Sequence, residues 1–409
     1  MVIRSLDIVG KEAISNPQDY FGRLRDESPV VYDERSRSWV ITGYEHISAA
    51  LSDTESFSSN RILPVVSSKL DDPKTDPLLK QAFTVLADWL VFKDKPDHTR
   101  LRSLIFKAFS PRAIENLKPN IIDIADEVLS SAPDEGVVEL FEAVAFPITS
   151  YMISEMLGVP GDKRDQFLKW IRLVGPIVNG GFGVEDRYEM AAQAFDELLK
   201  FSKELVDFYR EKPGDNLISN LIQARNDKDA LSDSEILASC TLFVFGGTET
   251  TANLICNAIY LLVNNPDQMR KLRNKEVDVS SAVEEFLRYE GSGKAVTRIV
   301  SKDTDFFGHE FKAGQRVFLI LASANRDPKI FENPENLVLD RQSQPRHLAF
   351  GHGAHSCLGS MLARAEANIV IPKILDRWSY IGLNEGCSIQ WVEQLLARGL
   401  EKLVVDVKR

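Results

Sequence analysis

From about residue 96 to residue 287, apolar side chains recur at three- and four-residue intervals, the spacing that gathers them on one stripe of a helix. Breaks fall at Ser110-Pro111, Val159-Pro160 and Lys212-Pro213-Gly214, where proline and glycine interrupt the pattern. Upstream, Asn16-Pro17 predicts a helix start, a capping residue followed by proline at the first helical position. Val30-Val31-Tyr32 and Trp39-Val40-Ile41 read as the strands of a hairpin turned at Asp33-Glu34-Arg35. Short β segments return between Ile299 and Phe318. The expected fold is mainly α with a small β portion.

One segment departs from amphipathic patterning. Ser232-Asp233-Ser234-Glu235 is a capping box, and the helix it opens is expected to run to about Asn264, ahead of Pro266. Thirty-odd residues at 1.5 Å each span roughly 50 Å. The stretch Ser239 to Val263 is apolar on all sides, yet Glu249, Asn253, Asn257 and two glycines point to a core helix rather than a membrane span. In its middle lies Gly246-Gly247-Thr248-Glu249-Thr250-Thr251. Each interior glycine costs roughly 1 kcal/mol relative to alanine, and an unpaired buried carboxylate costs more. Either the turn serves chemistry, or it is a glycine-mediated helix crossing with threonine and glutamate at a wet edge. On the chemical reading both glycines leave room, the Thr250 hydroxyl bonds back to the Gly246 carbonyl or turns toward a bound molecule, and Glu249 relays protons.

Composition narrows the function classes. A net charge of −11 excludes a general nucleic-acid binder, which needs a basic face. Four scattered cysteines, Cys240, Cys256, Cys357 and Cys387, form neither a disulfide framework nor a zinc pair. Cys240 and Cys256 read as reduced core residues. Met1 to Pro17 holds no apolar stretch long enough for a signal peptide, so a cytoplasmic protein without a membrane anchor is expected. The chain of 409 residues is long enough to enclose a cofactor.

The candidate for holding one is Cys357, in Phe350-Gly351-His352-Gly353-Ala354-His355-Ser356-Cys357-Leu358-Gly359. Glycine serves where the backbone needs positive φ or close approach, and a cysteine at the mouth of a helix has its thiolate favoured. This run resembles the cysteine-ligand loop of the cytochrome P-450 family, Phe-Gly-x-Gly-x-His-x-Cys-x-Gly, at every defined position. Gly247-Thr248-Glu249-Thr250 is similar to that family's Gly-x-(Asp/Glu)-Thr pattern, and Glu285 with Arg288 fits its Glu-x-x-Arg pair, joined by Arg341.

The resemblance implies a single large domain over 1–409 with the cytochrome P-450 fold, enclosing heme b (iron protoporphyrin IX). It implies Cys357 as the iron ligand, and His98, Arg102, Arg298 and His355 at the heme propionates. Glu249 and Thr250 become the proton relay; Glu285, Arg288 and Arg341 become structural. The implied activity is monooxygenation: one oxygen atom of O₂ enters a C–H bond of a medium-sized lipophilic substrate. Electrons then come from a separate ferredoxin or flavodoxin and its reductase, and the enzyme is a monomer. A peroxide-driven hydroxylase or decarboxylase and a non-turnover heme sensor are the alternatives; the intact acid–alcohol pair speaks against both.

Substrate-facing positions are expected at Leu242, Phe245, Gly246, Lys294 and Val296, with further walls from Leu63, Val65, Val66, Leu78, Leu79, Phe83, Leu86 and Leu90. Lys294 is the odd member. A substrate carboxylate is one partner for it; a heme propionate or solvent is the plainer one. Lys93, Lys95, Arg100, Arg102, Lys107 and Arg112 form a basic stretch, which is either a docking face for an acidic electron donor or a solvated patch. His46, His309, His347 and His352 read as surface residues, and Gly291-Ser292-Gly293 as a flexible turn.

Overall fold

The computed structural model describes residues 6–62, 67, 70–179, 185–225, 229–341 and 345–409. Helices dominate, and among the described residues ten short strands supply the β portion: β1 (Val30–Asp33), β2 (Ser38–Ile41), β3 (Phe57–Ser58), β4 (Glu135–Glu139), β5 (Val296–Val300), β6 (Thr304–Phe306), β7 (His309–Phe311), β8 (Arg316–Leu319), β9 (Tyr380–Leu383) and β10 (Val404–Lys408). The main sheet has the order β1-β2-β8-β5-β3. The expected β1–β2 hairpin forms, pairing Val30 with Ile41, and β8 lies parallel to β2.

Two compact units emerge, each discontinuous in sequence. One comprises Met1–Ser58, Ala125–Phe146 and Thr250–Arg409 and holds all ten strands; the other comprises Ser59–Ile124 and Pro147–Glu249 and is helical. In the strand-bearing unit Trp39, Phe57, Phe306 and Phe311 pack around the sheet, with Trp39 stacked on Phe311 at 4.1 Å.

Two expectations change. The three-stranded sheet β4-β10-β9 places a strand, Glu135–Glu139, inside the region that periodicity assigned to helix. Pro133, Asp134 and the positive φ of Gly136 break the pattern there, and the pairing partner lies at the far end of the chain. The long central helix is also two, Asp233–Gly247 and Glu249–Asn264, separated at Thr248. The capping box at Ser232 and Glu235 forms as expected. Among the described residues, no helix is long and apolar enough to cross a membrane.

Candidate active site

Cys357 follows a turn built on two positive-φ glycines, Gly351 (φ 69°) and Gly353 (φ 71°). A methyl group at Gly353 would stand 2.9 Å from the Leu51 carbonyl oxygen, so only glycine fits against the helix Tyr44–Ser52. The Cys357 N–H donates to the Phe350 carbonyl at 2.8 Å, the Gly351 N–H to Leu348 at 2.8 Å and the Ser356 N–H to Gly353 at 3.1 Å. Three residues later the helix Ser360–Arg377 begins and continues through Pro372. The backbone is thus occupied internally while the thiol is exposed, unlike those of Cys240 and Cys256. Burial pushes the Cys240 thiol up to about 12 and that of Cys256 well above its ordinary range, so neither offers a thiolate.

The supporting carboxylate lies deeper. Glu285 and Arg288 are fully buried on the helix Val279–Glu290, joined by Nε–Oε2 and Nη2–Oε1 contacts of 2.7 and 2.8 Å. Arg341 donates to both Glu285 oxygens at 3.2 Å, and the Val338 N–H adds a bond at 3.0 Å. Burial alone would raise the Glu285 carboxyl; these donors outweigh it and hold it below the ordinary carboxylate range. Arg288 also donates to the carbonyls of Asn325 and Pro334. The pair is therefore fully satisfied, the condition under which buried charges persist.

Arg298 is buried in β5, its guanidinium donating to the Thr297 carbonyl at 2.8 Å, and Val296 opens the same strand half-buried. His355 is half-buried in the turn before Cys357, and Thr250 is exposed. Lys294 is buried at 1 % exposure, so its amine does not reach solvent, and among the described residues its Nζ has no hydrogen-bond partner. Burial, then the Arg398 cation, lower its pKa to about 7, with Glu290 opposing. Arg398 and Glu290 form their own ion pair at 2.5 Å, to which Gln18 donates. The turn ahead of Lys294 is pinned rather than flexible: Gly293 bridges Ala397, and the Lys294 N–H donates to Leu396 at 2.9 Å.

In the helical unit, His98 lies buried in the first turn of the helix Asp97–Ala108, with Arg102 half-buried one turn on. Leu242 and Phe245 are half-buried on the helix Asp233–Gly247, and the Phe245 ring meets Trp89 at 5.4 Å. The two glycines differ. A methyl at Gly246 would meet nothing within 4 Å, whereas one at Gly247 would stand 2.4 Å from Ile153 Cδ1. Only Gly246 opens space; Gly247 permits close packing. Thr248 donates its hydroxyl to the Val244 carbonyl at 2.9 Å, and half-buried Glu249 follows. Phe83, Leu86 and Leu90 are buried, and Leu78 and Leu79 half-buried, while Leu63, Val65 and Val66 lie outside the described residues.

Residues 11–390 match the family described as Cytochrome P450. The chain is 35 % identical over 409 residues to the polyketide biosynthesis cytochrome P450 PksS of Bacillus subtilis, covering 98 % of each chain. It is 34 % identical to that organism's biotin biosynthesis cytochrome P450, over 96 % of this chain and 97 % of the other. This chain is a cytochrome P450. A solved structure of P450BioI, in complex with an acyl carrier protein ligated to hexadec-9Z-enoic acid, superposes with a TM-score of 0.87 at 32 % identity, over 97 % of this chain and 100 % of that one. The fold is the cytochrome P450 fold, and the enzyme is an oxidoreductase of the monooxygenase class that binds heme b through a cysteine thiolate. The residues present fit that group: an exposed thiol on a loop closed by positive-φ glycines, its backbone hydrogen bonds made within the loop.

Several further residues have environments that local sequence by itself does not signal. His347 is not a surface residue but is buried against Glu284, and Arg364 holds the same carboxylate. Glu366 is wholly buried on the helix after Cys357; burial pushes its carboxyl well above the ordinary range, with Thr251 opposing. The adjacency Glu284-Glu285 was the available signal, since neighbouring positions on a helix serve different faces.

Proposed function

We propose that this cytochrome P450 inserts one oxygen atom of O₂ into a C–H bond of a medium-sized lipophilic substrate, as a single cytoplasmic domain over 1–409, monomeric, fed by a separate ferredoxin or flavodoxin and its reductase. The observation that carries the reading is the exposed Cys357 thiol on its closed glycine loop. Cys357 holds the heme iron, and His98, Arg102, Arg298 and His355 pair with the propionates. Heme, when bound through a thiolate, supplies the oxygen chemistry. Gly246 leaves space for a small molecule, Thr250 holds a proton at its hydroxyl, and Glu249 replenishes it from solvent. Leu242, Phe245 and Val296 exclude water from the substrate. Glu285, Arg288 and Arg341 brace the cysteine side of the fold without touching reactants.

An extended acyl chain is the favoured substrate class. Support comes from the apolar walls and from the relatives, one named for polyketide biosynthesis and one solved with an acyl-carrier-bound fatty acid. Lys294 would select an acid, since a carboxylate satisfies an amine that has no hydrogen-bond partner among the described residues. The test is a titration of purified enzyme with medium-chain fatty acids, read by the Soret shift. Wild type should bind more tightly than Lys294→Met, and equal affinities remove the carboxylate role. Cys357→Ala should abolish the thiolate-type band of the reduced carbon monoxide complex; a persisting band overturns the ligand assignment.

A further inference from the structure

A second ionic cluster lies beside the cysteine loop and takes no part in the reading above. Glu284 receives Arg364 through both carboxylate oxygens, Nε–Oε1 at 2.5 Å and Nη2–Oε2 at 2.9 Å. The Ala349 N–H donates to His347 Nδ1 at 3.2 Å, so the histidine carries hydrogen on Nε2 and donates to Glu284 at 3.2 Å. Burial alone would raise the Glu284 carboxyl, but Arg364 and His347 hold it down at about 2, so it stays ionised.

This arrangement orients a flat cation. A guanidinium held edge-on by two carboxylate oxygens leaves its face free to stack. The Arg364 face lies over the Phe350 ring, with Cζ 4.6 Å from the centroid, and the His347 ring stands 6.1 Å from the same ring. Phe350 opens the cysteine loop, and its carbonyl accepts the Cys357 N–H. The chain of contacts therefore runs from Glu284 to Arg364, to the Phe350 ring, and through that residue's backbone to the cysteine.

We propose that Glu284 and Arg364 are positioning residues for the Cys357 thiolate, acting through Phe350; this rests on Cys357 being the heme ligand. A plain helix–helix tie between Val279–Glu290 and Ser360–Arg377 would stabilise the protein but leave the iron's spectrum and potential alone. A bare charge effect would move the potential in opposite directions, because Glu284→Gln removes a negative charge and Arg364→Met a positive one. Positioning moves it the same way in both, because either change unclamps the ring.

The experiment compares heme-loaded wild type, Glu284→Gln, Arg364→Met, Arg364→Lys and Phe350→Leu by redox titration and by the spectrum of the reduced carbon monoxide complex. Both clamp variants should shift the potential in one direction and lower the ratio of thiolate-type to thiol-type complex, by about tenfold, equivalent to about 1.4 kcal/mol. Arg364→Lys should not rescue, since a point charge cannot make the flat bidentate contact. In a Phe350→Leu background, Arg364→Met should change nothing further. Potentials that move in opposite directions, or unaltered spectra, overturn the proposal. If Arg364→Met takes up no heme, Glu284→Gln, which keeps its size, decides alone: wild-type potential and spectrum there are a refutation. A thiolate band surviving Cys357→Ala would instead refute the ligand assignment on which the proposal rests.

Discussion

Lys294 shows how burial alters one side chain. Its amine, with a pKa of about 7 in the fold against 10.5 ordinarily, sheds its proton where the unfolded chain still holds one. Stability therefore rises with pH from about 7 to 10.5, and the destabilisation is complete below that window. Lys294→Met should flatten this dependence and add about 1–3 kcal/mol near neutral pH, measured by urea unfolding across the range; a pH profile unchanged from wild type contradicts it. Glu249 and Thr250 differ in kind, because the role proposed for them is in proton traffic. Thr250→Ala should leave cofactor oxidation running while peroxide replaces product, and Glu249→Gln should lower kcat about 10²-fold more than it changes substrate affinity. Full coupling and full rate in both variants would end the relay assignment.

At the level of elements, the break between Asp233–Gly247 and Glu249–Asn264 matters most. Thr248 turns its hydroxyl onto the Val244 carbonyl, a competitor for the helical ladder that bends or interrupts helices. The two glycines before it then have separable roles. Gly247→Ala meets Ile153 and should destabilise by about 1–3 kcal/mol, an overpacking cost that Ile153→Val relieves. Gly246→Ala meets no neighbour, so helix propensity should add up to about 1 kcal/mol while the filled space slows turnover. Thermal unfolding of the two variants checks the contrast; equal destabilisation would mean that both positions are packing sites.

For the whole molecule, the basic stretch around 91–112 is less uniform than its charges suggest. Lys93 pairs with Asp88 at 2.8 Å, and Arg100 with Asp229 and Glu235, so these cations are already neutralised. Lys107 donates to the Arg225 carbonyl at 3.1 Å, with no ion pair among the described residues, and Arg112 is exposed. Half-exposed Phe106 lies next to Lys107. Charge reversal at Lys107 should slow reduction by an acidic electron donor about tenfold at low salt and little at high salt. Stopped-flow reduction across ionic strengths tests this; rates indifferent to both salt and Lys107→Glu would place docking elsewhere.

The local grammar of the chain determined a good deal unaided. The capping box at Ser232, the β1–β2 hairpin and the glycine-flanked Cys357 were legible because their signals lie within a few residues, where sterics and backbone hydrogen bonding decide the outcome. Tertiary structure alone decided the rest. Strand Glu135–Glu139 exists because Val404–Lys408 pairs with it, a partner no local window contains. Gly247 is distinguished from Gly246 by Ile153, and His347 is a buried residue that meets Glu284, the carboxylate Arg364 also holds. Such contacts join segments distant in sequence, and burial together with the partners that meet it there, not residue type alone, sets the charge state of what they enclose.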